Sequence, residues 1–210
     1  MSARSPKTIF LVGLVLVATA FVAVGVLRNK SVRPISSTGG KDFESGNVLD
    51  VPLYKQWDPG WANDEIGGSG EKLRNVGCTV SCVAMLFSYY GITVTPKEMN
   101  DYLKINRGYT KRGWLRWQKC AEYTRGRVVL EYVGNPDHKR IDDNLTDKNP
   151  VIAKVLINNR IPHWVLVVGK EGNEYIINDP LGSEEKPIPL LRYGTKVYAL
   201  RIFRRVGYNW

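Results

Sequence analysis

Cysteine and histidine are scarce in this sequence, which has three cysteines and two histidines among 210 residues. Because the number of cysteines is odd, at least one has no partner within the chain, and a fully paired disulfide framework is excluded. Two of them, Cys78 and Cys82, lie four residues apart on one predicted helix, where a bridge between them is unfavourable. No C-x-x-C pair occurs, so a zinc site is not indicated. We therefore expect neither a metal nor another cofactor.

Concentrated positive charge is lacking in the part of the chain that we expect to fold. The formal net charge is +10, but residues 1–34 carry five of the 30 basic residues and none of the 20 acidic ones. Elsewhere the charges are scattered, except in the stretch RIFRRVGYNW that starts at Arg201. A solvated strand edge or contact with anionic lipid explains that stretch more simply than nucleic acid does. We expect no nucleic-acid partner.

One long hydrophobic run is present, Ile9–Leu27, with basic residues on both sides and no charge or proline within it. At about 1.5 Å per residue, a helix of this length nearly spans a bilayer core of about 30 Å. The run predicts a single transmembrane signal anchor, preceded by a short tail of residues 1–8. The A-x-A-like residues Ala18–Ala20 leave open a cleaved signal peptide and a secreted protein. With either alternative, the rest of the chain lies outside the cytoplasm.

Two further regions follow the apolar run. Residues 28–47 are polar and contain glycine, serine and proline, a composition typical of a linker. Residues 48–210 form the predicted domain. The whole chain is 43% hydrophobic and 10% aromatic, which suffices for the core of one domain of ordinary size.

Helical patterns come first in the predicted domain, and strand patterns follow. The apolar stretch Thr79–Tyr90 ends at Gly91, as a helix with a glycine after its end does. Thr95 and Glu98 form a capping box around Pro96, so a second helix begins there. Five stretches rich in Val, Ile and Tyr then indicate strands: RVVLEYV, PVIAKVLI, HWVLVVG, NEYIIND and VYALRIFRR. Helices followed by an antiparallel sheet predict an α+β domain.

Cys78 has the sequence context of a reactive thiol. It directly precedes the predicted helix, and a helix N-terminus favours the nucleophilic thiolate form of a cysteine. Gly77 before it permits the close approach of another backbone or of a substrate. The alternative is a small buried hydrophobe, which is the usual role of an arbitrary cysteine. That role is the one we expect for Cys82 and Cys120.

A catalytic thiol requires a base, usually a histidine that is oriented by a further acceptor. His138 lies in the charged stretch NPDHKRIDD and is expected to be solvated, whereas His163 begins a predicted strand. The stretch KEGN predicts a hairpin turn after that strand. Antiparallel pairing through this turn places Asp179, or its neighbour Asn178, close to His163. A purely structural hydrogen bond of His163 is the alternative to catalysis.

Four motifs together resemble cysteine peptidase family thirty-nine, in its stand-alone "like" branch. In chain order they are VPLYKQWDPGW, GCTVSCVAMLFSYYG, HWVLVVG and YIINDP, and the resemblance covers most of Val48–Tyr198. The founding members of that family cut double-glycine leaders from bacteriocin precursors. The resemblance implies a papain-like fold in which the cysteine-bearing helix packs against an antiparallel sheet.

The same resemblance implies the role of each candidate residue. Cys78 is the nucleophile, His163 is the general base and later the acid, and Asp179 orients His163. Gln56, together with the backbone N–H of Cys78, is the implied oxyanion-hole donor. This chain departs from the family at GCTVSC, where members often have GCGPTS or a similar stretch.

The sequence thus predicts a membrane-anchored, papain-like cysteine peptidase that hydrolyses peptide bonds through an acyl-enzyme. Its partners are a peptide or protein substrate and the membrane. Two other functions remain open for the same residues. The first is acyl transfer or cleavage of peptidoglycan amides, and the second is a catalytically silent binding domain that retains the peptidase fold.

Overall fold

The described part of the chain combines helices with an antiparallel sheet. The computed structural model describes residues 33–193 and 196–207, with the backbone alone at residues 44 and 45. The helices within these residues are α1 (Leu73–Val76), α2 (Cys78–Tyr89), α3 (Pro96–Ile105), α4 (Trp117–Tyr123) and α5 (His138–Thr146), with a 3₁₀ turn at Leu190–Tyr193. The strands are β1 (Ile35–Ser36), β2 (Thr38–Val48), β3 (Val128–Gly134), β4 (Val151–Ile157), β5 (Ile161–Asn178), β6 (Ile188–Pro189), β7 (Lys196–Val197) and β8 (Ala199–Arg205). The predicted α+β class is confirmed.

The main sheet has the strand order β2-β5-β4-β8-β3, and β6 pairs with β5 beside this path. All of its pairs are antiparallel. A tight turn joins β4 to β5, and its residues Asn158 and Asn159 have positive φ values of 51° and 56°. Two such residues are typical of the type I′ turn, whose twist matches that of the strands it joins. The turn sets a register in which Val155 lies opposite His163.

Both faces of the sheet are covered by hydrophobic side chains. Leu166 and Val168 of β5 belong to the cluster that contains the buried side of α2. Val165 and Val167 belong to the other cluster, which contains Ile141 and Leu145 of α5. Because successive residues of a strand point to opposite faces, burial of both faces requires the continuous apolar sequence that β5 has here.

The stretch KEGN does not end a strand, although the sequence predicts two strands joined by a turn there. Ile161–Asn178 is one extended element because β2 pairs with residues before and after KEGN, namely Gly169 and Glu174. A straight strand would separate residues 163 and 179 by about 50 Å, yet their side chains are hydrogen-bonded. β5 therefore bends back within its length, and Gly172 supplies a positive φ of 57°. The predicted proximity of His163 and Asp179 is confirmed.

Residues 28–47, predicted to be a linker, form strands over most of their described part. β1 pairs with β7, while β2 pairs with β5 through Thr38, Phe43 and Asn47, with register shifts between them. Because β2 lies at the edge of the sheet, a polar and glycine-rich strand is compatible with its place. The linker prediction is therefore wrong for residues 35–47, and the paired strands begin before Val48.

Buried charges attach β2 to α5. Lys170 is fully buried, and its Nζ donates to Asp142 Oδ1 at 2.8 Å and also to the carbonyl oxygen of Lys41. Asp142 Oδ2 accepts the backbone N–H of Lys41 at 2.6 Å. A buried charge is tolerated when it is paired and hydrogen-bonded in this way. Asp142 and Lys170, which are distant from Lys41 in sequence, thus hold the polar segment around Lys41 in place.

The predicted helix ends are close to the observed ones. α2 begins at Cys78, one residue before the predicted start, and Gly91 follows its end with a φ of 77°. At the start of α3, Thr95 Oγ1 accepts the N–H of Glu98 at 3.2 Å, and Glu98 Oε2 accepts the N–H of Thr95 at 2.7 Å. The predicted capping box is confirmed.

No helix in the described residues is long and apolar enough to cross a membrane. The predicted anchor, Ile9–Leu27, and the tail of residues 1–8 lie outside the described residues.

Candidate active site

Cys78 is the first residue of α2, directly after the short helix α1. Its preceding residue, Gly77, donates its N–H to the carbonyl oxygen of Leu73 at 2.7 Å. A Cβ atom at position 77 would lie 2.5 Å from that same oxygen, closer than real contacts allow. Glycine is therefore required where the chain passes from α1 into α2. The first N–H groups of α2 have no partner within the helix, and their positive potential favours an anion at Cys78.

His163 joins Cys78 to Asp179. Its Nε2 lies 2.7 Å from Asp179 Oδ1, and the Cys78 thiol interacts with the ring closely enough to raise its pKa. Because Nε2 faces the carboxylate, the other ring nitrogen, Nδ1, is left for the thiol. All three residues are almost fully buried, with Cys78 at 9% exposure and the other two at 3%. Side chains that lie 85 and 16 residues from His163 in sequence are thus assembled into one series of interacting groups.

Interactions within this series shift the pKa values of His163 and Asp179 in the directions that favour an ion pair. Burial alone opposes a charged imidazole, but the interactions with Asp179 and Cys78 outweigh it and raise the pKa of His163 to about 9. Burial likewise opposes the carboxylate, but the hydrogen bonds of His163 and Tyr193 lower the pKa of Asp179 to about 2. Between these two values, an imidazolium and a carboxylate face each other.

The carboxylate of Asp179 accepts hydrogen bonds at both oxygens. Oδ1 accepts from the backbone N–H of Leu181 at 2.9 Å in addition to His163. Oδ2 accepts from the backbone N–H of Gly182 at 2.9 Å and from the hydroxyl of Tyr193. The sequence DPLG signals the two backbone contacts, because an aspartate before proline and glycine commonly bonds the backbone two residues on. No local sequence pattern connects Tyr193 to Asp179, so this contact could not be predicted from the sequence.

Gln56 lies beside the series without a described contact to the Cys78 thiol. It is 2% exposed, and its backbone N–H donates to the oxygen of Pro180 at 2.9 Å. Its Nε2 donates to the oxygen of Arg74 at 2.7 Å, which leaves a second hydrogen on that nitrogen. Gln56 Oε1 is buried and has no partner within the described residues. These contacts place Gln56 between the segments that carry Asp179 and Cys78.

The other two cysteines are buried away from solvent, as predicted. Cys82 lies one turn after Cys78, and its Sγ is 3.5 Å from the carbonyl oxygen of Trp164, so it joins α2 to the residue after His163. Burial raises the pKa of Cys82, and burial also raises that of Cys120 on α4. Neither thiol is therefore suited to be a nucleophile.

His138 is half-buried, whereas the sequence led us to expect a solvated side chain. It is the first residue of α5, and its Nδ1 lies 2.8 Å from the hydroxyl of Tyr175, with the two rings stacked. Burial lowers the pKa of His138. The described residues contain no group of three or more His, Cys, Asp or Glu side chains arranged to hold a metal ion.

Comparisons with known proteins add three findings. A double glycine motif protease from an AMS/PCAT transporter, solved in complex with its leader peptide, is 15% identical over 84% of this chain and 100% of its own, with a TM-score of 0.46. A family thirty-nine-like peptidase from Bacillus anthracis is 15% identical over 77% of this chain and 99% of its own, with a TM-score of 0.47. No curated protein matches. The sequence model of the Peptidase_C39 like family matches residues 48–201, most of the chain, and the protein therefore belongs to that family.

Proposed function

We propose that the protein is a cysteine peptidase in which Cys78 is the nucleophile. The observation that carries this proposal is the series in which Cys78 interacts with His163 and His163 is hydrogen-bonded to Asp179. A thiol at a helix N-terminus beside an imidazolium is in the environment that favours a thiolate. Membership of a peptidase-like family supports the same reaction class.

The reaction follows from the positions of the three side chains. At the start of the reaction His163 already carries the proton of the Cys78 thiol, and the thiolate forms a bond to the carbonyl carbon of a peptide. The resulting oxyanion accepts hydrogen bonds from the backbone N–H of Cys78 and from the second Nε2 hydrogen of Gln56. His163 then gives its proton to the leaving amine, which departs. Water, deprotonated by His163, hydrolyses the thioester and returns the free thiol.

The substrate class we propose is a peptide or an unfolded segment of a protein. The solved transporter protease carries a leader peptide, and a peptide is what a family of peptidases accepts in general. Because the three side chains are deeply buried, we expect an extended peptide to be a better substrate than the surface of a folded protein. An extended peptide can bring a single carbonyl group to a recessed thiol.

Alkylation of Cys78 as a function of pH tests the Cys–His pair directly in the full-length protein. Iodoacetamide should modify Cys78 faster at pH 7 than it modifies an unassisted thiol, and His163→Ala should abolish this advantage. His138→Ala is the matched control, because it removes the only other histidine and leaves the series intact. If Cys78 reacts like an ordinary or inaccessible thiol in all three proteins, the domain is a silent peptide-binding domain and the proposal fails.

We also propose that the run Ile9–Leu27 anchors the protein to a membrane, with the peptidase domain outside the cytoplasm. The proposal rests on the length and composition of this run alone. The protein should remain in the membrane pellet after extraction with alkaline carbonate. Release into the supernatant, or a mature N-terminus at Phe21, would instead establish cleavage and secretion.

A further inference from the structure

Tyr193 reaches the Asp179 carboxylate from a separate part of the fold. It is the last residue of the 3₁₀ turn Leu190–Tyr193, and its hydroxyl donates to Asp179 Oδ2. Its ring centroid lies 6.3 Å from that of His163, with the ring planes tilted by 55°. The tyrosine therefore contacts the carboxylate and borders the imidazole at the same time.

The turn that carries Tyr193 is held firmly to the strand that leads to Asp179. β6, immediately before the turn, pairs with Ile176 and Ile177 of β5. Leu190, at the start of the turn, is fully buried in the hydrophobic cluster under that strand. The Tyr193 hydroxyl therefore has a fixed position relative to the Asp179 backbone. A residue that orients the carboxylate must be fixed in this way.

We propose that Tyr193 is a positioning residue that sets the rotation of the Asp179 carboxylate, and through it the orientation of His163 towards Cys78. This inference rests on the proposed function. The terminal torsion of an aspartate is broad, so the backbone alone does not fix which way its oxygens point. With Oδ2 held by Tyr193 and Gly182, Oδ1 is directed at His163 Nε2, and Nδ1 is left for the thiol.

The hydroxyl of Tyr193 acts as a donor throughout the working pH range. Burial, followed by the hydrogen bond to Asp179, raises the pKa of Tyr193 above its ordinary value. The other titratable or charged groups that interact with Asp179, His163 or Tyr193 lie on α2, on the 3₁₀ turn and in the loops around the site: Cys78, Cys82, Arg192, Lys55 and Glu184. Lys55 donates to the backbone oxygen of Asp179 at 2.9 Å, so it does not compete for the carboxylate.

Tyr193→Phe removes the hydroxyl and keeps the ring. Two measurements report its effect on His163 and Cys78. The first is the NMR titration of the two histidines, in which His163 should titrate at a lower pH than in the wild type while His138 is unchanged. The second is the rate of Cys78 alkylation at pH 7, which should fall about tenfold, the effect of one lost hydrogen bond to a charged group. Tyr132→Phe is the matched control, since its hydroxyl donates to the oxygen of Asn135 at 2.9 Å away from the series.

The variant Asp179→Asn separates positioning from general loss of structure. If Tyr193 acts through Asp179, Tyr193→Phe should change the His163 titration and the alkylation rate little further in the Asp179→Asn background. Equal effects in both backgrounds, or a His163 titration unchanged by Tyr193→Phe, would overturn the proposal. Because the titration needs neither a substrate nor a reactive thiol, it remains decisive even if the protein proves not to be a peptidase.

Discussion

Replacing Cys78 by alanine is expected to abolish peptide hydrolysis while leaving the fold and the affinity for peptide in place. Cys78 is the first residue of α2, and its thiol is the proposed nucleophile that interacts with His163, so its removal leaves the reaction without a nucleophile. Loss of a covalent nucleophile typically costs at least about a thousandfold in kcat, and often about a millionfold. The measurement is turnover of a quenched fluorescent peptide library, followed by product analysis.

Cys120→Ala is the matched control for this experiment. Cys120 is also fully buried, but it lies on α4 and has no part in the series. We expect full activity per folded molecule from this variant. Hydrolysis that survives Cys78→Ala would contradict the assigned nucleophile. If wild type and Cys78→Ala bind the same peptides and neither cleaves them, the domain is a binding module.

The residues of the candidate series were predictable because each has a local signal. Cys78 follows a glycine at the start of an apolar helix, and the structure explains that glycine by the nearness of the Leu73 oxygen. His163 and Asp179 are close because β5 bends back near KEGN. The sequence predicts two strands joined by a turn there, whereas the structure has one bent strand that pairs with β2 on both sides of KEGN. The local sequence thus predicted that His163 and Asp179 lie close together, although it predicted the wrong strand boundaries.

The departure GCTVSC from the usual family stretch leaves the start of α2 regular. The helix runs without interruption from Cys78, and Val80 is fully buried in the hydrophobic cluster on that face of the sheet. A β-branched residue here lowers the helix propensity slightly, but the burial of its side chain stabilises the fold. The geometry at the thiol therefore does not depend on the small residues that other members have.

The contact of Tyr193 with Asp179 and the presence of β2 could not be predicted from the sequence, for a common reason. Each is placed by a long-range contact that no periodicity or turn signal encodes. Tyr193 depends on a 3₁₀ turn held by two residues of β5, and β2 depends on Asp142, which lies 101 residues after Lys41. Patterns in sequence report which faces are apolar, but they do not report which distant polar group satisfies a polar segment.

Asp142→Ala is expected to lower the free energy of unfolding by about 3–5 kcal/mol, because it leaves the Lys170 ammonium buried without its counter-ion. It also removes the acceptor of the Lys41 N–H, so β2 should lose part of its attachment to α5. Urea denaturation measures the loss, and hydrogen exchange of residues 38–48 should be accelerated most. Asp143→Ala is the matched control, since Asp143 pairs with the exposed Lys139 and its removal should change stability little.

The double variant Asp142→Leu with Lys170→Met distinguishes the cost of the unpaired charge from the cost of the lost hydrogen bonds. Removal of both charges eliminates the uncompensated ammonium, and apolar side chains of similar size are often tolerated at buried ion pairs. The N–H and carbonyl of Lys41 would still lose the partners that these two side chains supply. We therefore expect stability to recover most of the way, with about 1–3 kcal/mol still missing. A double variant as unstable as Asp142→Ala would mean that β2 is held by those hydrogen bonds, and that the buried charge itself contributes little to the loss.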